Sequence, residues 1–133
     1  MQPVKDLTNL LACMRPELNP GRYAFVTLPE GYDLDDSLVV ASICEAEGRS
    51  VILPEQIVQS LGLPAAFTAA WITLKVHSDL AAVGLTAAFS TALAESGISC
   101  NVVAGVHHDH LFVPLDRAQQ AMDTLIALSR SAQ

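Results

Sequence analysis

Positive charge is scarce in this chain. Seven Lys and Arg stand against fourteen Asp and Glu over 133 residues, giving a formal net charge of −7 and a sequence pI near 4.8. A phosphate backbone needs a basic stripe, and seven scattered cations do not form one, so direct nucleic-acid binding is not expected. There is no polybasic patch and no apolar run of 18 residues, so membrane contact is not expected either. The opening MQPVKDLTNLL lacks the charged-then-apolar pattern of a signal peptide. Aromatic residues are only 5% of the chain, and the 51% hydrophobic content is mostly Ala, Val, Leu and Ile. Cysteine is also sparse. Cys13, Cys44 and Cys100 are odd in number and form no C-x-x-C pair, which suits a reducing compartment with each thiol acting as a small buried hydrophobe. The expectation is a cytoplasmic protein.

The length gives one domain, or two very small ones sharing a core. Leu7, Leu10, Leu11 and Met14 predict a helix over Val4–Met14 with Asp6 as its cap, ended by Pro16 and Asn19-Pro20-Gly21. Tyr23–Leu28 reads as a strand. Asp33, Asp35 and Asp36 alternate as in a calcium loop, but the stretch lacks the central Gly and the terminal Glu of a twelve-residue loop. Val39–Ala46 and Ser50–Leu53 flank a hairpin turn at Glu47-Gly48, and Pro54 opens a short helix stopped near Gly62. In the strand Phe67–Val76, Ile72, Leu74 and Val76 share one face, with Trp71, Thr73 and Lys75 on the other. A helix is expected from Asp79 or Leu80 to about Ser96, with the stripe Leu85, Ala88, Phe89, Ala92 and Leu93 and a stop at Gly97. Strands follow at Cys100–Val106 and His110–Val113. A last helix is capped by Asp116 with Gln119 as capping-box partner, and buries Ala118, Met122, Leu125 and Ile126.

From residue 72 onward this order is most of a βαββαβ unit: one antiparallel sheet with two helices on one face. Its final strand is missing from the C-terminal stretch, and Tyr23–Leu28 is the expected donor. The N-terminal half echoes the pattern, since each half has two adjacent strands, a closing proline (Pro54 or Pro114) and a helix. The fold class is therefore α+β, in two halves at about 1–66 and 67–133.

Three stretches carry a family resemblance. They are Leu10, Leu11, Met14, Pro16-Glu17-Leu18, Pro20-Gly21, Tyr23, Phe25 and Thr27; the core Ile72 to Ala87; and Gly97 to Pro114. Over nearly the whole chain the sequence resembles short bacterial ACT-domain proteins, and its arrangement is similar to the arginine-sensing ACT proteins of eukaryotic cytosol, which have an acidic residue where Asp109 stands. The resemblance implies a ferredoxin-like fold in two ACT-like halves, amino-acid binding, a homodimer, and a regulated enzyme or regulator as partner.

The residues admit the same reading. Ser78 and Asp79 form a polar turn before a helix whose start, Val83-Gly84-Leu85, offers unpaired N–H groups and a favourable dipole to a carboxylate. Asn101 on one strand and Asp109 at the start of the next could take an ammonium, with Val102 adding a strand contact and His108 a polar one; opposite charges a fixed distance apart recognise an α-amino acid. About ten heavy atoms at half the small-ligand ceiling give about −7 kcal/mol, a dissociation constant on the order of 10 μM. Against this, Gly84 serves equally as a packing glycine, Asn101 as a sheet-edge cap and Asp79 as a helix cap. His107, His108 and His110, with His77, suggest a metal, yet an H-x-H pair supplies two ligands where zinc needs three or four, so no metal or cofactor is expected. His77-Ser78-Asp79 are chain neighbours, not a spatial triad. The expectation is a small-molecule sensor without catalysis; the alternative is a structural dimerisation module that binds no metabolite.

Overall fold

Alternating burial defines the strands, and in a computed structural model describing residues 6–76 and 79–133 it assembles them into two compact units. One unit comprises residues 1–19 and 70–133, the other residues 20–69. His77 and Ser78, together with the first five residues, lie outside the described residues.

The larger unit begins with helix α1 (Leu7–Cys13), where Asp6 accepts from the backbone N–H of Thr8 at 2.9 Å and of Asn9 at 3.4 Å. Strand β1 (Arg15–Leu18) follows at once and pairs antiparallel with β5 (Phe67–Lys75), from Arg15 opposite Lys75 to Leu18 opposite Ile72. Tyr23–Leu28, expected to donate extra sheet, does pair antiparallel with residues 67–69 of β5, but the fourth strand of the larger unit is β1. Pro16 hid it. A proline cannot donate to a ladder, but on an edge strand it need not. After β5 come helix α3 (Leu85–Glu95), β6 (Asn101–Ala104), β7 (Asp109–Pro114) and helix α4 (Ala118–Ser131), and the strand order is β1-β5-β7-β6.

Leu85, Phe89 and Leu93 of α3 and Ala121 and Leu125 of α4 bury against Ile72 and Leu74 of β5 and Leu111 and Val113 of β7. Burying Phe89 alone contributes roughly 2–3 kcal/mol. The expected cap at Asp116 does not form. A 3-10 turn at Leu115–Arg117 leads into α4, Gln119 bonds Asp123 instead, and Arg117 reaches back to the Ser96 carbonyl at the end of α3.

The smaller unit holds β2 (Tyr23–Leu28), β3 (Ala41–Glu45), β4 (Gly48–Pro54), helix α2 (Glu55–Leu61) and the first three residues of β5. Its order is β5-β2-β4-β3, all pairs antiparallel. Ala24, Val26, Leu28, Val51, Leu53 and Val58 make its core. Gly48 has φ +142, and a Cβ there would lie 2.9 Å from both the Leu28 carbonyl oxygen and Thr27 Cγ2, so only glycine closes this hairpin.

Both units thus show the ferredoxin-like strand order, and the chain is α+β. Cys13 and Cys44 are exposed and only Cys100 is part-buried, so two of the three thiols are not the buried hydrophobes expected. Among the described residues no helix is long and apolar enough to cross a membrane.

Candidate functional site

The turn from β5 to α3 is longer than the sequence suggested. Asp79 does not cap a helix: its carboxylate accepts from the Ala81 N–H at 2.8 Å and its carbonyl from the Ala82 N–H at 2.9 Å, closing a local turn. The helix starts at Leu85, where the apolar stripe itself begins. Gly84 is its N-cap in the left-handed region at φ +104, and its carbonyl takes the first helical bond from Ala88. The N–H groups of Leu85, Thr86 and Ala87 precede that bond, and glycine supplies no oxygen to cap them. Gly84 also packs closely, since a Cβ there would stand 3.0 Å from Leu7 Cδ2. Val83 is 85% exposed while Leu85 is buried in the core.

Of the other predicted site residues, Asp109 and Val102 lie on the helix side of the sheet. Ala104 opposes Asp109 and Val102 opposes Leu111, so these four share the face that carries the core residues Leu111 and Val113. Asn101 opposes Phe112, which places it on the other face and about 10 Å along the strand from the Asp109 pair. Asn101 and Asp109 therefore do not converge. Trp71 touches both His110 and Phe112, while Thr73 touches His110, so β7 runs back along β5 and begins where β5 leads into the turn. Asp109 is half-buried. Burial pushes its carboxyl above the ordinary value, opposed by the nearby His110 and His108. The Gly105–His108 turn closes with the Gly105 N–H donating to the His108 carbonyl at 2.9 Å. The Nδ1 atom of His108 is shielded and has no hydrogen-bond partner among the described residues.

The sequence reading missed the most connected polar group of this unit. Trp71 and Thr73 lie on the face opposite Ile72 and Leu74, away from the helices, yet Thr73 is 7% exposed and Trp71 part-buried. The Trp71 indole N–H donates to His110 Nδ1 at 3.1 Å, and Thr73 Oγ1 lies 3.3 Å from the same nitrogen. Asn19 Nδ2 donates to Thr73 Oγ1 at 2.9 Å and to the Trp71 carbonyl at 3.2 Å. Burial and the neighbouring His108 push the His110 imidazole below its ordinary value, with Asp109 pulling the other way. The strand alternation that set Trp71 and Thr73 on one face was the available signal; their partner on β7 depends on register, which no local pattern reveals.

In the smaller unit the matching place, after the first strand and beside the hairpin, is a cavity of about 460 Å³ lined by Glu30, Gly31, Tyr32, Glu45, Glu47 and Arg49 among others. Two of the three aspartates that suggested calcium are engaged elsewhere. Asp35 caps a 3-10 turn at Asp36–Leu38 by accepting from the Ser37 N–H, which holds its carboxyl low, and Asp36 pairs with Arg49 at 3.2 Å. Among the described residues no group of three or more His, Cys, Asp or Glu side chains is placed to hold a metal.

Residues 2–70 match an ACT-domain family pattern and residues 67–127 match a second one. A solved structure from Vibrio cholerae, of a protein described as of unknown function and a possible transport protein, is similar with 44% identity and a TM-score of 0.82 over 96% of this chain and 99% of that one. An Agrobacterium tumefaciens protein shares the fold at 18% identity and a TM-score of 0.65, covering 87% of this chain and 89% of that one. The regulatory subunit of aspartate kinase from Thermus flavus does so at 10% identity and a TM-score of 0.55, covering 86% and 95%. No curated protein matches the sequence.

Proposed function

The chain belongs to the ACT-domain family, and on that premise we propose that it is a regulatory module that binds a small amino acid and performs no catalysis of its own. The observation that carries the reading is the start of α3, an eleven-residue helix whose N-cap is a left-handed glycine with no side chain to cap its first N–H groups. A carboxylate placed there satisfies those donors and the helix dipole together. The half-buried Asp109, at the end of β7 nearest the same turn, supplies the counter-charge for an ammonium. Asp79, Val83, Gly84 and Leu85 form the turn wall; Ser78, which the sequence adds to the set, lies outside the described residues. Val102 and His108 border the hairpin side, whereas Asn101 does not join them.

We read residues 1–66 and 67–133 as the two modules, supported by the paired family matches, although each unit completes its sheet across that boundary, with β1 in the larger unit and residues 67–69 of β5 in the smaller. Partnership with a second copy fits β6, whose Asn-Val-Val-Ala carries no charge and no proline to discourage edge pairing. An enzyme or regulator that receives the signal is the remaining partner. The fold shared with regulatory subunits of aspartate kinase supports such a role, and the free thiols suit a reducing cytoplasm.

A thermal-shift screen against the twenty amino acids tests the reading. A ligand at 100 times its dissociation constant adds about 2.7 kcal/mol to the folded state. One stabilising amino acid, whose effect disappears in Asp109→Ala, is the expected result. A flat response at millimolar concentrations overturns it and leaves the ligand-free dimerisation module.

A further inference from the structure

We propose that His110 is a proton-operated latch: its neutral ring ties β7 to β5 and, through Thr73 and Asn19, to β1, and uptake of a proton breaks its hydrogen bond with the Trp71 indole. The geometry fixes the resting state. The indole nitrogen of Trp71 can only donate, so His110 Nδ1, 3.1 Å away, must accept. Thr73 Oγ1 already accepts from Asn19, so its hydroxyl proton is free to point at the same Nδ1. Two donors aimed at one ring nitrogen require the neutral tautomer with its proton on Nε2.

Protonation places a hydrogen on Nδ1 opposite the indole hydrogen. The Thr73 hydroxyl can turn and accept it, but the indole cannot, so the loss concentrates at Trp71. The alternation of each strand gives the charged groups on this face of the unit. Lys75 of β5 is paired with Glu17 of β1 at 2.9 Å, and Arg15 opposes Lys75. Beside His110 in its own hairpin are His107, His108 and Asp109, and Val103, opposite it on β6, is apolar. Asp109 favours the protonated ring; burial and His108 oppose it and prevail. The stability the latch contributes is therefore full above the ordinary histidine value of about 6.5 and is lost as pH falls through that value toward the depressed one.

Trp71 is the single tryptophan of the chain, so its emission reads the latch directly. Between pH 8 and 4.5 the full-length protein should show one step in Trp71 emission, with its midpoint below the ordinary histidine value. The step should vanish in His110→Gln and persist in His107→Gln and His108→Gln. Because His110→Gln also removes packing, a second arm keeps the histidine. In Trp71→Phe the His110 ring proton, followed by NMR, should titrate higher by roughly 0.5 unit or more, the equivalent of one neutral hydrogen bond. Flat emission, a step that survives His110→Gln, or an unchanged His110 titration in Trp71→Phe each overturns the proposal.

Discussion

The two units have the same strand order and differ in what covers it. In each, a proline ends the third strand with nearly identical geometry, Pro54 at φ −53 and ψ 137 and Pro114 at φ −54 and ψ 137, and a helix follows. Between its first and second strands, however, the larger unit has the eleven-residue helix α3, whereas the smaller has an irregular stretch with a tight turn at residues 29–32 and the 3-10 turn Asp36–Leu38. Tyr32, Leu34, Leu38 and Val39 pack against the smaller core from that stretch. Apolar cover can be supplied by an irregular segment. A helix start that presents aligned N–H groups cannot, and for that reason the proposed amino-acid site lies in the larger unit.

The contrast in cover should appear most strongly in the cores. Phe89→Ala removes a fully buried ring from α3 and should cost about 3–5 kcal/mol, whereas Val58→Ala in α2 should cost roughly 1–3 kcal/mol, both read by denaturant unfolding. Equal costs would break the comparison. Next is thiol chemistry. Burial pushes Cys100 up to about 11 from 9.0, so near pH 8 its thiolate should be roughly a hundredfold scarcer than that of an ordinary thiol. Mass spectrometry after brief iodoacetamide treatment should find the exposed Cys44 of the smaller unit alkylated well before Cys100. Third, Gly48→Ala places a side chain at φ +142 against the Leu28 carbonyl and should destabilise by about 1–3 kcal/mol. Gly84→Ala should cost less than Gly48→Ala in the same unfolding assay, because the atom it meets is the flexible end of Leu7. The smallest effect is expected for Lys75→Ala, which breaks an ion pair between half-exposed side chains and should change stability by under about 1 kcal/mol.

Sequence was informative where one element carries its own period. The α3 stripe, the Gly62 stop of α2 and the two faces of β5 are all as the residues indicate. It was less informative where pairing decides. Nothing local says that Arg15-Pro-Glu-Leu18 is a strand; it becomes one because β5 offers it a ladder. That Asn101 and Asp109 face opposite sides follows from Ala104 opposing Asp109, and a one-residue slip would have reversed it. The helix at Asp79 was over-extended because Asp and Leu suit a helix start, yet the Asp79 carboxylate bonded its own turn first.

The place of β1 has a further consequence, for the order in which the chain acquires its structure. Residues 20–69 find their partners within one continuous stretch, so they can pair as soon as that stretch has been synthesised. Arg15–Leu18 must wait for Ile72–Lys75, and the Ala12 carbonyl receives the Ser129 hydroxyl from across 117 positions. Residues 12–18 therefore precede the smaller unit in the chain and yet are secured after it. Until α4 emerges, Leu10 and Met14 have only part of their apolar surroundings, and a nascent chain halted before about residue 118 exposes both ends of the larger unit's core to whatever apolar surface is nearby.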